Sequence, residues 1–184
     1  AESTERLARR AEGASFVRVT GPAGTDIELS VSGRRLYTDT GLYHEPGDFG
    51  NLPAGEIAWA PVAGSARGRI VCDVAFAGLG AAERLELTVE DGRIARAGGE
   101  RAGDLLELLA GGPERTVGEF GVGTNPLAEP GPVTLEAEKA VGTVHFGFGD
   151  NRSFGGENRA AGHWDCVVRY DVLELDGNSI EVAP

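Results

Sequence analysis

Apolar residues recur at every second position between glycine-rich turns, and this spacing limits the possible folds more than any other feature of the chain. Ile27, Leu29 and Val31 alternate with polar residues, as do Ile70, Cys72, Val74 and Phe76, and again Leu85, Leu87 and Val89. A period of two places apolar side chains on one face of a strand. Asp91-Gly92 and Asp176-Gly177 supply the positive φ of a tight type I′ turn, so hairpins are expected there. The first leads into Ile94 and the last into 180–182. Further strands are predicted at 16–19, 57–62, 70–76, 117–122, 142–148 and 166–175. Two helices complete the pattern. One spans 3–14, with Ser3 as N-cap, Glu5 near the positive end of the dipole and Leu7, Ala8 and Ala11 on one face, ended by Gly13. The other spans 104–110, opened by Asp104 and closed by Gly111-Gly112. The expected fold is α+β: a β-rich single domain over 1–184, with 1–14 as leading helix, a mixed or antiparallel sheet with room to curl, and few short helices.

A chain of 184 residues with 41% apolar content can bury a core without staples. Its net charge of −12 repels nucleic acid and anionic lipid and suits a cationic partner or a metal ion. No apolar stretch reaches the length of a membrane span, and no charged-then-apolar leader opens the chain. Cys72 and Cys166 lie in apolar, strand-like runs without CxxC spacing, which points to buried thiols in a reducing compartment. The expectation is a cytoplasmic protein that engages neither nucleic acid nor membrane.

The chemistry concentrates near the C-terminus. Of three histidines, His163 belongs to His163-Trp164-Asp165, and residues i and i+2 of a strand share a face. His163 and Asp165 can therefore bind one ion together. His145 ends the alternating run 141–145 and can supply a third ligand from a neighbouring strand. Two histidines and a carboxylate suit catalytic zinc, or ferrous iron with open positions. A bare His-x-Asp pair is also compatible with an exposed or hydrogen-bonded role. His44, in a loop rich in Gly, Pro and Asp, reads as a surface residue.

The setting of these residues carries a resemblance. Gly24-Thr25-Asp26, Asn51-Leu52-Pro53-Ala54-Gly55-Glu56, the stretch Gly118-Glu119 to Asn125-Pro126, Glu138-Lys139, the stretch Gly142 to Asn151, Phe154-Gly155-Gly156 and the His163/Asp165 pair follow one another in the order seen in the aminopeptidase T family. The resemblance implies a two-metal site (Zn, Co or Mn) built from Glu56, Glu119, His145, His163 and Asp165. It implies Glu138 as a general base, or as a carboxylate that orients His145. Two departures stand out. Members of that family carry an α/β half ahead of the matched region, where this chain has a short helix. Their tyrosine seven residues after the first histidine is Arg152 here, a permanent cation that cannot ligate a metal.

These departures favour peptide binding over hydrolysis. The leading expectation is a peptide-binding protein derived from a truncated metallo-aminopeptidase, which presents or sequesters a precursor peptide for modification, as in ribosomal peptide natural-product biosynthesis. Arg152 and Arg159 would grip a peptide carboxylate, and Trp59, Trp164 and Tyr43 would line a groove or else pack in the core. An active aminopeptidase is the second reading. The third is a non-haem iron dioxygenase, because the fold family also resembles ring-cleaving dihydroxypyridine dioxygenases, whose two-His, one-Asp triad His145, His163 and Asp165 fit. A homodimer is expected, since a surface left bare by a missing half must be hidden or polar.

Overall fold

A computed structural model describes residues 1–48, 50–82 and 84–182. In chain order its strands are Phe16–Thr20 (β1), Asp26–Ser30 (β2), Tyr37–Asp39 (β3), Glu56–Trp59 (β4), Arg67–Cys72 (β5), Ala75–Phe76 (β6) and Gly80–Ala81 (β7). Leu85–Glu90 (β8), Arg93–Gly98 (β9), Val117–Gly123 (β10), Thr143–Gly149 (β11), His163–Arg169 (β12), Val172–Leu175 (β13) and Asn178–Ser179 (β14) follow. The helices are Glu2–Ala11 (α1), Ala102–Leu108 (α2) and Thr134–Ala137 (α3). The expected β-rich α+β class holds, with every strand pairing antiparallel. The alternation resolves into two sheets, however. One has the order β14-β13-β1-β2-β5-β8-β9 and the other β3-β4-β10-β11-β12-β6-β7.

Two predicted strands turn out to be crossings between the sheets. The run 70–76 breaks at Asp73-Val74, leaving β5 in the first sheet and β6 in the second. The run 166–175 breaks at Tyr170-Asp171, between β12 in the second sheet and β13 in the first. In the first, apolar residues recur at 70, 72, 74 and 76 straight through the corner, although Val74 packs on the opposite face in a smaller cluster; in the second the period slips by one residue, from Cys166 and Val168 to Leu173 and Leu175. Both Asp-Gly turns have the expected geometry: φ is 48° at Asp91, 72° at Gly92, 51° at Asp176 and 78° at Gly177. The last hairpin returns at Asn178–Ser179, two residues before the predicted 180–182.

The inner faces of the two sheets share one core. Val17, Val19, Ile27, Leu29, Ile70 and Leu87 from the first sheet cluster with Ile57, Trp59, Phe120, Phe146, Phe148 and Val168 from the second. Burying each large side chain of this kind contributes roughly 1.5–3 kcal/mol. Helix α1 adds Leu7 and Ala11, and Thr4 Oγ1 lies 2.7 Å from Thr124 Oγ1 just past β10. The alternate residues of the second sheet face away from this core. There α3 seals one end through a small cluster of Val74, Ala75, Ala137 and Val167.

Candidate metal centre

Strand pairing assembles the site. In the register of β10, β11 and β12, Gly121 lies opposite His145, Glu119 opposite Gly147, Gly147 opposite Asp165, and Gly149 opposite His163. In β4, Glu56 lies opposite Gly123. With a period of two, Glu56, Glu119, His145, His163 and Asp165 share the face that Ile57, Phe120, Phe146 and Trp164 do not. The glycines between them make room. A Cβ on Gly121 would clash with the Cε1–Nε2 edge of the His145 ring, and one on Gly147 would strike His163 Nε2 and come within 2.8 Å of Glu119 Cβ. At Gly123 a Cβ would meet the Lys139 carbonyl carbon at 2.8 Å. Each of these glycines therefore admits a neighbour that any larger residue would push away.

The five residues meet in one place. His163 Nε2 is 2.9 Å from Glu119 Oε2 and 3.1 Å from Asp165 Oδ1. His145 Nε2 is 3.5 Å from Glu119 Oε1 and 3.6 Å from Glu56 Oε2. Ligand atoms of Glu119, His163 and Asp165 all lie within 4.8 Å of one another, close enough to hold one ion. Glu56 stands outside that group of three, its Oε2 2.7 Å from Lys139 Nζ. Glu138, expected as a base or as the carboxylate that orients His145, pairs with the same ammonium, Oε1 to Nζ at 2.6 Å.

The fit to a cation follows from His163. Its Nδ1 is 2.8 Å from the Asp150 carbonyl, an acceptor, so Nδ1 must carry hydrogen. In the neutral ring, Nε2 then aims a bare lone pair at two carboxylates. Only a cation between them, proton or metal, makes this arrangement favourable. Burial opposes charge on His163, but the hydrogen bonds to Asp165 and Glu119 outweigh it and raise the pKa to about 11. Burial likewise opposes charge on His145, and Glu119 and Glu56 raise its pKa to about 9. Burial pushes the Glu119 and Asp165 carboxyls up, but their histidine partners hold both below the usual range. At Glu138, burial and then the Asp165 charge dominate, and the carboxyl is raised to about 7. His145 Nδ1, also buried, has no hydrogen-bond partner among the described residues.

The residues expected to grip a peptide do not form a groove. Trp59 is 2% exposed and stacks on Phe120 in the core. Trp164 packs against that core too, because it occupies the inward position between His163 and Asp165. Arg152 projects outward and pairs with Asp150 at 2.8 Å, away from the clustered carboxylates. Arg159 is exposed. Tyr43 lines the cavity beside Glu56, where its hydroxyl donates to Asp39 at 3.2 Å. This cavity, about 470 Å³, lies against Glu56 and is walled by Tyr37, Asp39, Tyr43 and Phe154. The Phe154 ring is 5.6 Å from the His163 ring, which links cavity and cluster.

The sequence reading gave no role to Lys139, Phe154 or the Asp150 carbonyl. Lys139 had a readable signal, an ionic Glu-Lys pair beside an apolar strand. The other two act through ring position and backbone, which residue type does not disclose. Asn151 also went unassigned. It is buried, and its side chain donates to the Gly118 carbonyl at 3.1 Å and accepts from Asn158 N–H at 2.9 Å, fixing the loop after β11.

Together, fold and site define a two-sheet domain with a histidine–carboxylate cluster of the kind that holds a divalent metal. The chain belongs to the NicX, or 2,5-dihydroxypyridine 5,6-dioxygenase, family, whose profile it matches over residues 1–183. Among solved structures, 2,5-dihydroxypyridine dioxygenase from Pseudomonas putida KT2440 aligns with a TM-score of 0.85 at 24% identity, covering 100% of this chain and 59% of that one. Wild-type aminopeptidase T from Thermus thermophilus aligns with a TM-score of 0.68 at 23% identity, covering 98% of this chain and 49% of that one. The chain thus spans less than two thirds of either structure. No curated protein matches it. The family match corrects the aminopeptidase T assignment, which survives only as a more distant likeness of fold. With it fall the peptide-binding and hydrolase readings and the role in peptide biosynthesis.

Proposed function

We propose that this chain is the metal-bearing region of a non-haem iron dioxygenase that cleaves the ring of a dihydroxylated pyridine. The observation that carries the reading is the group Glu119, His163 and Asp165, its ligand atoms within 4.8 Å of one another, in a chain of the NicX family. His163 would offer Nε2, and Glu119 and Asp165 one carboxylate oxygen each. His145, whose Nε2 is 3.5 Å from Glu119 Oε1, would complete the set. When bound, ferrous iron supplies the redox chemistry that joins dioxygen to an electron-rich ring.

The remaining chemistry belongs to the chain. A flat ring fits the 470 Å³ cavity between Tyr37, Tyr43 and Phe154, where aromatic faces favour stacked or edge contacts. Asp39 is placed to accept a hydrogen bond from a ring hydroxyl. Glu56 borders both the cavity and His145, and burial raises its carboxyl above the usual range. A carboxylate so placed is suited to take the proton of a ring hydroxyl and hold it at an Oε atom. Phe154, beside the His163 ring, screens the cluster from water.

In this reading the protein works in the cytoplasm, where the free, buried Cys72 and Cys166 stay reduced. No helix among the described residues is long and apolar enough to cross a membrane.

The decisive experiment loads the protein anaerobically with ferrous iron, adds 2,5-dihydroxypyridine and then admits oxygen. Uptake of oxygen in step with loss of the ring absorbance is expected. Protein that retains iron yet consumes no oxygen with any dihydroxypyridine isomer would overturn the assignment.

A further inference from the structure

The 470 Å³ cavity is built on the pairing of β3 with β4. Tyr37 lies opposite Ala58 and Asp39 opposite Glu56, and all four line it. The Asp39–Glu56 pair sets two carboxylates face to face across the strands, an arrangement that ordinarily destabilises a sheet. Lys139 relieves it at one member only, with Nζ 2.7 Å from Glu56 Oε2. Asp39 accepts from the Tyr43 hydroxyl at 3.2 Å and from Gly41 N–H at 3.0 Å, both at Oδ1. Among the described residues Asp39 forms no ion pair and its Oδ2 no hydrogen bond, so the charge and the Oδ2 lone pairs are left to a ligand.

A third carboxylate, Asp48, lines the same cavity. The backbone N–H groups of Glu45 and His44 donate to its Oδ2 at 2.9 and 3.0 Å and hold the carboxyl below its usual range. No lysine or arginine among the described residues lines the cavity. Lys139 is held between Glu56 and Glu138, Arg152 pairs with Asp150, and Arg35 stands over the Tyr37 ring, its Cζ 4.7 Å from the centroid. Burial and then the Asp39 charge raise the Tyr43 hydroxyl above its ordinary range, so the negative field reaches the aromatic wall. A cleft lined by one sign of charge focuses that field on whatever enters.

We propose that Asp39 and Asp48 are specificity-determining residues that make this cavity a charge filter: it takes a ring that presents O–H or N–H donors and carries no carboxylate, and it turns ring carboxylates away. The inference rests on the ring-cleavage reading above and adds to it which rings can enter. Asp39 Oδ2 can accept from a hydroxyl, or from the N–H of a pyridone, the lactam form of a 2-hydroxylated pyridine. A carboxylate on the same ring would lose water, find no cation to pair with and meet like charge instead. Stacking on Tyr37 or Phe154 is nearly the same for both rings, so charge decides between them.

The test compares two probes that share one ring and one hydroxyl, 3-hydroxypyridine and 5-hydroxypyridine-3-carboxylate. Isothermal titration calorimetry on metal-free protein keeps a metal ion from ligating either of them. At low ionic strength the neutral probe should bind the wild type at least about tenfold more tightly. High salt should narrow the gap, since it screens the charges. Asp39→Asn combined with Asp48→Asn keeps size and acceptor oxygens. It should bring the probes within about threefold of each other, chiefly by tighter binding of the carboxylate. Equal binding of both probes by wild-type protein, tighter binding of the carboxylate, or binding of neither would overturn the proposal; these measurements need no variant to fold. A doubly substituted protein with wild-type circular dichroism that keeps the full gap would overturn it as well. Oxygen uptake with 2,5-dihydroxypyridine judges the ring-cleavage reading separately. Uptake by a protein that does not discriminate the probes ends the proposal alone, and discrimination without uptake ends the reading alone.

Discussion

The His163 ring is tethered at Nδ1 by the Asp150 carbonyl, so a proton and a metal ion must compete for Nε2. That competition sets the pH behaviour of the metal-free protein. A histidine whose folded pKa exceeds its unfolded value stabilises fully below the unfolded value, near 6.5, and loses that contribution as pH rises through the folded one. For His145 the loss runs through about 9, and for His163 through about 11. Glu138 acts in the same direction, because burial raises its carboxyl to about 7 and deprotonation costs stability there. Glu119 and Asp165, held low by their histidine partners, contribute at neutral pH and lose that contribution in acid. The urea midpoint of the metal-free protein should therefore fall steadily between about pH 7 and pH 10. With Zn(II) bound, the imidazoles need no proton, and the midpoint should stay level over the same range. A metal-free midpoint that is flat or rises with pH would show that the histidines are not held as cations between carboxylates.

At the scale of the element, β10, β11 and β12 act as one part, because every ligand among them depends on a glycine on a neighbouring strand. Gly147→Ala would place a methyl group against His163 Nε2 and 2.8 Å from Glu119 Cβ. The backbone there has ordinary strand geometry, so the fold should survive at a cost of about 1–3 kcal/mol while the ligands are forced apart. Metal retention after dialysis should drop at least about tenfold, the scale seen when ligand orientation is disturbed. Unchanged retention would mean that the cluster tolerates displacement. Some of this part was legible in the sequence. The common face of His163 and Asp165 follows from the period within their strand, whereas His145 was offered from a neighbouring strand and Glu119 came only with the family resemblance; the strand register that unites them was not legible. The sheet switch at Asp73-Val74 was not legible, because apolar residues recur at every second position through that corner; the one at Tyr170-Asp171 is marked only by a one-residue slip in the period, from Cys166 and Val168 to Leu173 and Leu175. Of the two roles open to Trp59 and Trp164, core packing is the one observed, because each stands an odd number of positions from a motif residue of its strand, Glu56 or His163, and so points to the opposite face. Lys139 was quoted without a role, because its partner Glu56 comes from β4, far upstream. The family was mistaken for a related reason. The quoted motifs follow the order of the aminopeptidase T family, whose fold is itself a more distant likeness of this one, and the α/β half and Arg152 in place of a tyrosine were the two readable departures.

For the molecule as a whole, the two sheets close one core and leave the site on the far face of the second sheet, where strong charges are tolerated only in mutual contact. Glu56, Glu119, Glu138 and Asp165 are clustered around one lysine and two histidines, mostly shielded from water. Leaving such charges incompletely compensated destabilises the sheet that carries them. A divalent ion held by Glu119, His163 and Asp165 would supply the missing charge and would tie β10 to β12. These strands flank β11 and send Phe120, Cys166 and Val168 into the common core, so restraint on one face is felt on the other. Metal should therefore stabilise the whole domain against unfolding, not merely a local loop. At free metal about a hundredfold above its dissociation constant, the linkage contribution is about 2.7 kcal/mol. For a domain of this length each kcal/mol moves the midpoint by roughly 2–4 °C. Differential scanning calorimetry should show a Tm roughly 5–10 °C higher with metal than after chelation, in a single transition for both sheets. His163→Ala should abolish the difference while leaving a cooperative transition. If chelation leaves Tm unchanged, or splits off a separate low-temperature transition, the ion does not tie these strands to the core, and the cluster is only a network of hydrogen-bonded charges.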